Sequence, residues 1–204
     1  VMHEKKALRV VIPVDPGPVA GIGPVRVSGN RTVKGSYIRK YPSWERGGTY
    51  SASAVNRLRK ALIRTGLFAL VDIDHGDALD SQGRVPLNIR VREREHRTFS
   101  LGLGYETNYG PVGDVGWETR NLAGANERLA FSLTASPVLQ ELTATFSKPV
   151  FFGRGQTLTV HSSVYREDTD AYENRAIKGS VLFEKEVWEE VSAGMGAWIS
   201  ARIS

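Results

Sequence analysis

In the segment Thr98-Phe-Ser-Leu-Gly-Leu-Gly-Tyr-Glu-Thr107, large apolar side chains alternate with small or polar ones. Such alternation predicts a β-strand, because successive side chains leave a strand on opposite faces. The apolar face of this strand consists of Phe99, Leu101, Leu103 and Tyr105. The opposite face consists of Ser100, Gly102, Gly104 and Glu106. One face of apolar residues and one face of small or polar residues are typical of a barrel wall between lipid and a hydrated lumen.

The same period-two alternation recurs in six further segments up to the end of the chain. Their apolar positions are Val115 and Trp117; Leu129, Phe131 and Leu133; Leu142, Ala144 and Phe146; Leu158, Val160 and Val164; Ile177, Val181 and Phe183; and Val191, Ala193, Met195, Ala197 and Ile199. We expect seven antiparallel strands in an up-and-down meander. Short turns such as residues 136–138 are expected to alternate with longer polar loops such as residues 166–174.

The composition changes where this pattern begins. Residues 1–97 carry 18 basic and 9 acidic side chains, whereas residues 98–204 carry 9 basic and 13 acidic ones. The two parts therefore have net charges of +9 and −4, which predicts two domains with a boundary near residues 96–97. Cysteine is absent from the 204 residues, which excludes disulfides, thiolate nucleophiles and cysteine-ligated zinc. No run reaches the ~20 apolar residues that a transmembrane helix needs.

The residues before the boundary predict a small α+β domain in the order β-α-α-β-β, with an additional strand in front. Extended runs are expected at residues 7–14, 22–28, 67–74 and 85–91, and a short helix at residues 33–41. A second helix follows Ser51, its predicted N-cap, and ends before Gly66. The apolar face of this helix consists of Val55, Leu58 and Leu62. The inward side chains of the next strand are expected to be Leu67, Ala69, Val71 and Ile73.

Several short motifs resemble known modules of bacterial outer-membrane proteins. Gly23-Pro-Val-Arg-Val-Ser-Gly-Asn30, Gly47-Gly-Thr-Tyr-Ser51 and Gly66-Leu-Phe-Ala-Leu-Val71 resemble the POTRA domain, a periplasmic polypeptide-transport module. Trp117-Glu-Thr-Arg-Asn-Leu-Ala-Gly124 resembles the second strand and turn of the barrel of the Omp85 superfamily, of the surface antigen D15 type. Within that superfamily, Asp15-Pro-Gly-Pro18 followed by Gly23-Pro-Val25 is most similar to the TamA branch.

The resemblance implies a particular division of the chain. Residues 1–17 would supply the last strand of a preceding POTRA domain, residues 18–96 would form a POTRA domain, and residues 97–204 would form the N-terminal part of an outer-membrane β-barrel. The expected fold is thus an α+β POTRA domain followed by antiparallel transmembrane β-barrel strands of a partial barrel. Because the family's barrel has about sixteen strands, we expect this chain to be a fragment of a longer protein.

The resemblance also implies a function. It predicts an assembly or translocation factor of the Gram-negative outer membrane, with its POTRA domain in the periplasm. The implied partners are unfolded outer-membrane protein clients, an inner-membrane or periplasmic partner of the TamB type, and outer-membrane lipid. We expect no enzymatic activity, no cofactor, no metal and no nucleic acid. The alternatives are a secretion pore or surface anchor for one cognate passenger, and a soluble β-rich binding protein.

Two backbone edges are the predicted functional sites. A client strand would add by β-augmentation to a POTRA edge strand, at Leu67, Phe68, Ala69, Leu70, Val71, Asp72 and Ile73. The first barrel strand would form a lateral seam, at Phe99, Leu101, Gly102, Leu103, Gly104 and Tyr105. Its glycines weaken strand pairing, which favours a seam that opens. The alternative for the POTRA edge strand is that it only completes its own sheet. The alternative for the barrel strand is that its glycines only leave space in the lumen.

Two side-chain clusters were also considered as binding sites. The acidic cluster contains Asp72, Asp74, His75, Asp77 and Asp80, but its spacing does not fit an EF-hand loop, so a solvated turn is the better interpretation. The basic face contains Arg26, Arg31, Lys34, Arg39, Lys40, Arg57, Arg59, Lys60 and Arg64. This face could attract anionic lipid head groups or an acidic partner, or be an ordinary solvated surface.

Overall fold

The computed structural model describes residues 19–42, 44, 48–76, 78–188 and 191–203. The strand predicted at residues 7–14, and with it the strand of a preceding domain, lies outside the described residues. The N-terminal domain contains β1 (Gly21–Ser28), α1 (Gly35–Ile38), α2 (Ala52–Arg64), β2 (Phe68–His75) and β3 (Arg84–Glu93). This is the predicted β-α-α-β-β order. Its sheet has the strand order β1-β3-β2, with β1 parallel and β2 antiparallel to β3.

Helix α2 forms where the apolar spacing predicts it. Val55, Leu58 and Leu62 are buried against the sheet. Ser51 occupies the N-cap position, but its hydroxyl bonds the Ser53 hydroxyl at 2.7 Å and caps no backbone N–H group. Gly66 ends the helix in the left-handed conformation (φ +73°), with its N–H donating to the Ile63 carbonyl at 3.0 Å. A residue with a side chain is strained in that conformation, which explains the glycine.

Strand β2 departs from the predicted alternation at its start. The register between β2 and β3 shifts between Phe68 and Leu70, as in a β-bulge. Phe68 is consequently buried in the core, and Ala69, which was predicted to point inward, is exposed. Val71 and Ile73 are buried as predicted. The prediction for Ala69 was wrong because an extra residue in one strand reverses the faces of the residues beside it.

The second domain is a seven-stranded antiparallel sheet in sequential order, as predicted. Its strands are β4 (Arg97–Glu106), β5 (Gly110–Arg120), β6 (Arg128–Ala135), β7 (Leu139–Pro149), β8 (Gln156–Asp168), β9 (Glu173–Trp188) and β10 (Val191–Arg202). Phe99 pairs with Trp117 and Trp117 with Phe131, and their rings form one apolar row. Ser100 pairs with Gly116 and Gly116 with Ser132 on the opposite face. The sheet therefore has one apolar face and one small or polar face.

The connections between these strands differ from the prediction. Residues 107–109, 136–138 and 169–172 are all short and lie at the end of the sheet far from the N-terminal domain. The predicted long loop at residues 166–174 was wrong, because most of it belongs to β8 and β9. The longer connections, residues 121–127 and 150–155, lie at the near end. There they contact the N-terminal domain: Gly124 accepts a backbone hydrogen bond from Lys34, and Val150 joins its core.

Within the described ranges, no helix has the length and apolar character to cross a membrane. Both helices belong to the N-terminal domain, and the longer, α2, has 13 residues.

The core of the N-terminal domain is tested by shortening one buried side chain. Leu62 is fully buried, so Leu62→Ala leaves a cavity and is expected to lower the free energy of unfolding of this domain by about 2–5 kcal/mol. Pulse proteolysis in urea measures that change. The control is Ile63→Ala on the same helix, where the side chain is 49% exposed and the expected change is within about 0.5 kcal/mol. Equal losses in the two variants would contradict the described packing.

Candidate functional site

The two domains are joined around the carboxylate of Glu93, the last residue of β3. Its oxygens accept hydrogen bonds from the backbone N–H groups of Arg31 at 2.7 Å, Val33 at 2.9 Å and Thr32 at 3.1 Å. The Thr32 hydroxyl donates to the same carboxylate at 2.5 Å. One side chain thus satisfies three consecutive N–H groups of the segment after β1, which would otherwise lack partners.

These contacts change the acidity of Glu93. Burial by itself would raise the pKa of this carboxyl, since it disfavours the charged form. The Thr32 hydroxyl and the N–H groups of residues 31–33 outweigh burial and lower the pKa from 4.5 to about 2. Glu93 is therefore ionised at neutral pH, and its charge stabilises the folded state.

The segment that Glu93 holds is bonded in turn to the second domain. Thr32 Oγ1 accepts a hydrogen bond from Asn121 Nδ2 at 3.0 Å, and the Lys34 N–H donates to the Gly124 carbonyl at 2.8 Å. Gly124 has a φ of +91°, and a Cβ there would lie 3.0 Å from the Thr32 carbonyl oxygen. The two backbones approach closely at this point, and only glycine fits. We call Glu93, Thr32, Lys34, Asn121 and Gly124 the domain junction.

A second carboxylate holds the β5–β6 connection in shape. Glu127 is buried, and its carboxylate accepts hydrogen bonds from the N–H groups of Ala125 at 2.9 Å and Ala123 at 3.2 Å. Lys148 Nζ lies 3.9 Å from the other oxygen. Burial opposes ionisation of Glu127, but the N–H groups of Ala125 and Ala123 and the Lys148 charge together lower its pKa. The β5–β6 connection is thus held in a defined conformation, on which the N-terminal domain rests.

Val150, in the β7–β8 connection, completes the contact between the domains. It is buried in the same apolar cluster as Tyr37, Ile38 and Leu62 of the N-terminal domain. Its φ of +54° is strained for a β-branched residue. The burial of its side chain in the other domain compensates part of that strain.

The predicted client site lies at a free edge of the three-stranded sheet, because β2 pairs only with β3 among the described strands. The Gly76 N–H donates to the Pro86 carbonyl and the Arg94 N–H to the Leu67 carbonyl. In an antiparallel ladder, paired residues alternate between bonding the partner strand and pointing away from it. The register therefore turns the backbone N–H and C=O groups of Val71, Ile73 and His75 away from β3.

Strand β1, at the other edge of that sheet, is less available for an added strand. The Ile22 N–H donates to the Gly48 carbonyl at 2.8 Å, and the Tyr50 N–H donates to the Ala20 carbonyl at 2.9 Å. The chain at residues 48–50 thus covers the beginning of β1. Pro24 has no N–H to offer within the strand. Of the two edges, β2 is the one with a run of backbone groups that point away from its described neighbour strand.

The predicted seam strand, β4, is an edge of the seven-stranded sheet and bonds only β5 among the described strands. Its apolar side chains Phe99, Leu101, Leu103 and Tyr105 are 68–85% exposed, on the same face. Gly102 lies over Asp114 on the other face, where a Cβ would be 3.4 Å from the carboxylate. A Cβ at Gly104 would have nothing within 4 Å. Packing therefore does not require glycine at residue 104.

Most of the acidic cluster is engaged in ion pairs. Arg90 lies 3.1 Å from Asp72 and 3.7 Å from Asp74, and Arg84 lies 2.9 Å from Asp80. Asp77 lies outside the described residues. In the part of the chain that the structure describes, no three His, Asp or Glu side chains gather as a metal site. Asp72 and Asp74 lie on strand β2, and Asp80 lies in the turn between β2 and β3, so only part of the cluster belongs to the predicted turn.

The domain junction was not predictable from the sequence pattern. Glu93, Thr32 and Glu127 belong to no motif there, and Val150 shows no sequence signal for its contact. One signal was available: Trp117–Gly124 was singled out as a motif, and Asn121 and Gly124, which are in it, both have positive φ. Asparagine and glycine favour that conformation, so a specific turn could have been expected.

Comparisons with known proteins agree with this architecture. Residues 20–94 match the family model POTRA, described as a surface antigen variable number repeat. The outer membrane protein assembly factor BamA of Neorickettsia risticii (strain Illinois) is 27% identical over 160 residues, which are 78% of this chain and 20% of that protein.

Two solved structures share the fold. BamA from Haemophilus ducreyi lacking POTRA domains 1–3 matches with a TM-score of 0.81 and 21% identity, over 91% of this chain and 36% of that one. CdiB from Acinetobacter baumannii matches with a TM-score of 0.64 and 12% identity, over 91% of this chain and 38% of the CdiB chain.

These matches define the class of protein. The N-terminal domain is a POTRA domain, and the second domain is an antiparallel sheet that resembles part of the BamA barrel. The POTRA match and the BamA relative agree with the predicted resemblance to the Omp85 superfamily. The chain spans about a fifth of the length of the curated relative and about a third of the BamA structure.

The pH dependence of stability tests the role of Glu93. Because its pKa is about 2 in the folded chain and 4.5 ordinarily, its stabilisation is complete above pH 4.5 and is lost as the pH falls towards 2. We expect Glu93→Gln to destabilise the POTRA domain at pH 7 by about 1–3 kcal/mol, and to remove part of its acid sensitivity between pH 4.5 and 2. Urea unfolding at a series of pH values measures both effects.

The matched control for this prediction is Glu95→Gln, two residues further along the chain. Glu95 is exposed, so its substitution should leave both the stability at pH 7 and the acid response unchanged. If Glu93→Gln behaved like Glu95→Gln, the hydrogen bonds of the Glu93 carboxylate would not stabilise the junction.

Proposed function

We propose that this chain is part of an outer-membrane assembly or translocation factor that handles other proteins in extended form. Client segments would pair with the free edge of β2 in the POTRA domain, and nascent strands would pair with β4 of the barrel sheet. The proposed role is non-enzymatic. It places the POTRA domain in the periplasm of a Gram-negative cell and the barrel in the outer membrane.

The observation that carries the proposal is that the described residues include two strand edges, β2 and β4, whose backbone groups point away from their neighbour strands. The two domains that contain them are joined by a specific hydrogen-bonded junction. Backbone pairing demands little of the client sequence, because N–H and C=O groups are the same in every residue. A protein that accepts many clients needs this property. The BamA relative, named as an outer membrane protein assembly factor, agrees with the proposal.

The apolar face of the barrel sheet supports the membrane location. Its exposed side chains include Phe99, Leu103, Leu142 and Ile199, and the opposite face contains Ser100, Ser132 and Thr143. Contact of the apolar face with lipid acyl chains would bury the apolar surface that is exposed in the described sheet. Outer-membrane lipid is thus one proposed partner.

The branch of the superfamily is a finer question. The TamA resemblance depends on residues 15–18, outside the described residues, and on residues 23–25, and it implies an inner-membrane or periplasmic partner of the TamB type. The BamA and CdiB matches support the superfamily as a whole. Co-purification of the native protein with an inner-membrane partner would favour the TamA branch.

Photocrosslinking in living cells tests the proposed client sites. p-Benzoylphenylalanine at Leu70, which is 53% exposed on β2, is expected to crosslink newly made outer-membrane proteins. Its control is Leu79, 45% exposed in the turn after β2. In the barrel, Leu103 on the edge strand β4 is expected to crosslink clients, whereas Leu142, which lies on β7 between two paired strands, is expected to contact lipid only.

The outcomes separate the alternatives. Several different clients at Leu70 and Leu103, with none at the controls, would support an assembly factor. One crosslinked protein would instead favour a secretion pore or anchor for a single passenger. Equal crosslinking at Leu70 and Leu79 would contradict client binding at the β2 edge.

A further inference from the structure

One backbone acceptor on the free edge of β2 is already occupied. Arg59, on α2, donates from Nη2 to the carbonyl oxygen of Ile73 at 3.4 Å. The register turns that carbonyl away from β3, so it is one of the groups that an added strand would use. Near the beginning of the same strand, the Phe68 carbonyl accepts a hydrogen bond from Arg94 Nε at 3.1 Å. Arginine side chains therefore cover acceptors toward both ends of β2.

The Arg59 contact is weak and incomplete. A donor–acceptor distance of 3.4 Å is long for a hydrogen bond. The Nε atom of the same guanidinium is buried from solvent and has no hydrogen-bond partner. A buried donor without a partner is costly, and most such groups in proteins are satisfied. The guanidinium is thus held against the edge in a position from which it can be displaced at little cost.

We propose that Arg59 guards the edge of β2 by occupying the Ile73 carbonyl until a client strand displaces it. This inference rests on the proposed function, since it concerns the same client site. An incoming strand must place a backbone N–H on the Ile73 carbonyl, and the Arg59 side chain must leave that position first. The released guanidinium then becomes available to the carbonyl and carboxylate oxygens of the client strand.

Arg59 would protect the β2 edge from unwanted strand pairing. A row of free N–H and C=O groups pairs with any extended chain, including another copy of the same protein, and charged side chains are a common protection. Arg59 suits this role because its planar donor group can cover a carbonyl while its stem packs on the helix and strand. The neighbouring Arg57 donates instead to the Ser53 hydroxyl on its own helix at 3.5 Å.

The test measures binding of a defined extended peptide to the full chain in detergent micelles. The probe is a fluorescein-labelled synthetic peptide with the sequence of residues 97–106, a strand of alternating pattern, and the readout is fluorescence anisotropy. Arg59→Ala is expected to bind the probe about three- to tenfold more tightly than the unmodified chain, because no hydrogen bond must be broken first. The control, Arg57→Ala, is expected to change the affinity less than about twofold.

Variants that block the edge show where the probe binds. Val71→Pro and His75→Pro each remove one N–H that points away from β3, without removing a hydrogen bond of the β2–β3 ladder. Both are expected to weaken binding at least about fivefold. His75 is exposed, so its variant remains informative if Val71→Pro disturbs the core.

The outcomes distinguish the guard from the client site itself. Unchanged binding in both proline variants would contradict β-augmentation at β2, and with it the proposed function. Weakened binding in those variants, together with an unchanged or reduced affinity in Arg59→Ala, would overturn the guard and leave the client site intact. A gain in affinity is the informative result, because a purely structural loss of Arg59 packing would not tighten binding.

Discussion

The structure depends on one carboxylate at the end of a strand. Glu93 gathers the N–H groups of Arg31, Thr32 and Val33, and Thr32 then accepts a hydrogen bond from Asn121 of the barrel sheet. Without this side chain, the N–H groups of residues 31–33 would lose their acceptor, and without its negative charge the hydrogen bonds would be weaker. The same segment is the surface on which the barrel domain rests. A single ionised group thus sets both the local fold of the POTRA domain and its placement against the barrel.

The proposed function needs this rigid placement, because the two client sites are backbone edges without pockets. An edge can accept any extended chain, so its usefulness depends on where it is held and on what keeps unwanted partners away. The junction supplies the first of these requirements, and the longer near-end connections, residues 121–127 and 150–155, are its counterpart on the barrel. The Arg59 guard would supply the second by making occupation of β2 depend on displacement of a side chain.

The alternation of side chains was sufficient to predict the two domains, the β-α-α-β-β order and the seven-stranded meander. The resemblance to known modules, and not the alternation, predicted that β2 and β4 are edge strands, and both lie at sheet edges. Alternation failed at Ala69, because a bulge changes the register without changing the composition. It could not reveal Glu93, Thr32 or Val150, since their roles depend on contacts between residues far apart in the chain. The polar residues of the junction are types that are also common in solvent-exposed turns, so their composition does not distinguish a domain contact from an ordinary turn.

Cross-linking of Thr32 to Asn121 tests the central claim, which is that the POTRA domain is docked on the barrel through the Glu93-held segment. The chain contains no cysteine, so the pair T32C and N121C provides the only two thiols. A short bis-maleimide reagent should join them in the native membrane and shift the mobility of the denatured chain. A pair of S81C and N121C, with Ser81 exposed in the turn between β2 and β3, should not react. Efficient cross-linking of the first pair alone is the predicted result, and equal reaction of the two pairs, or of neither, would contradict the docked arrangement.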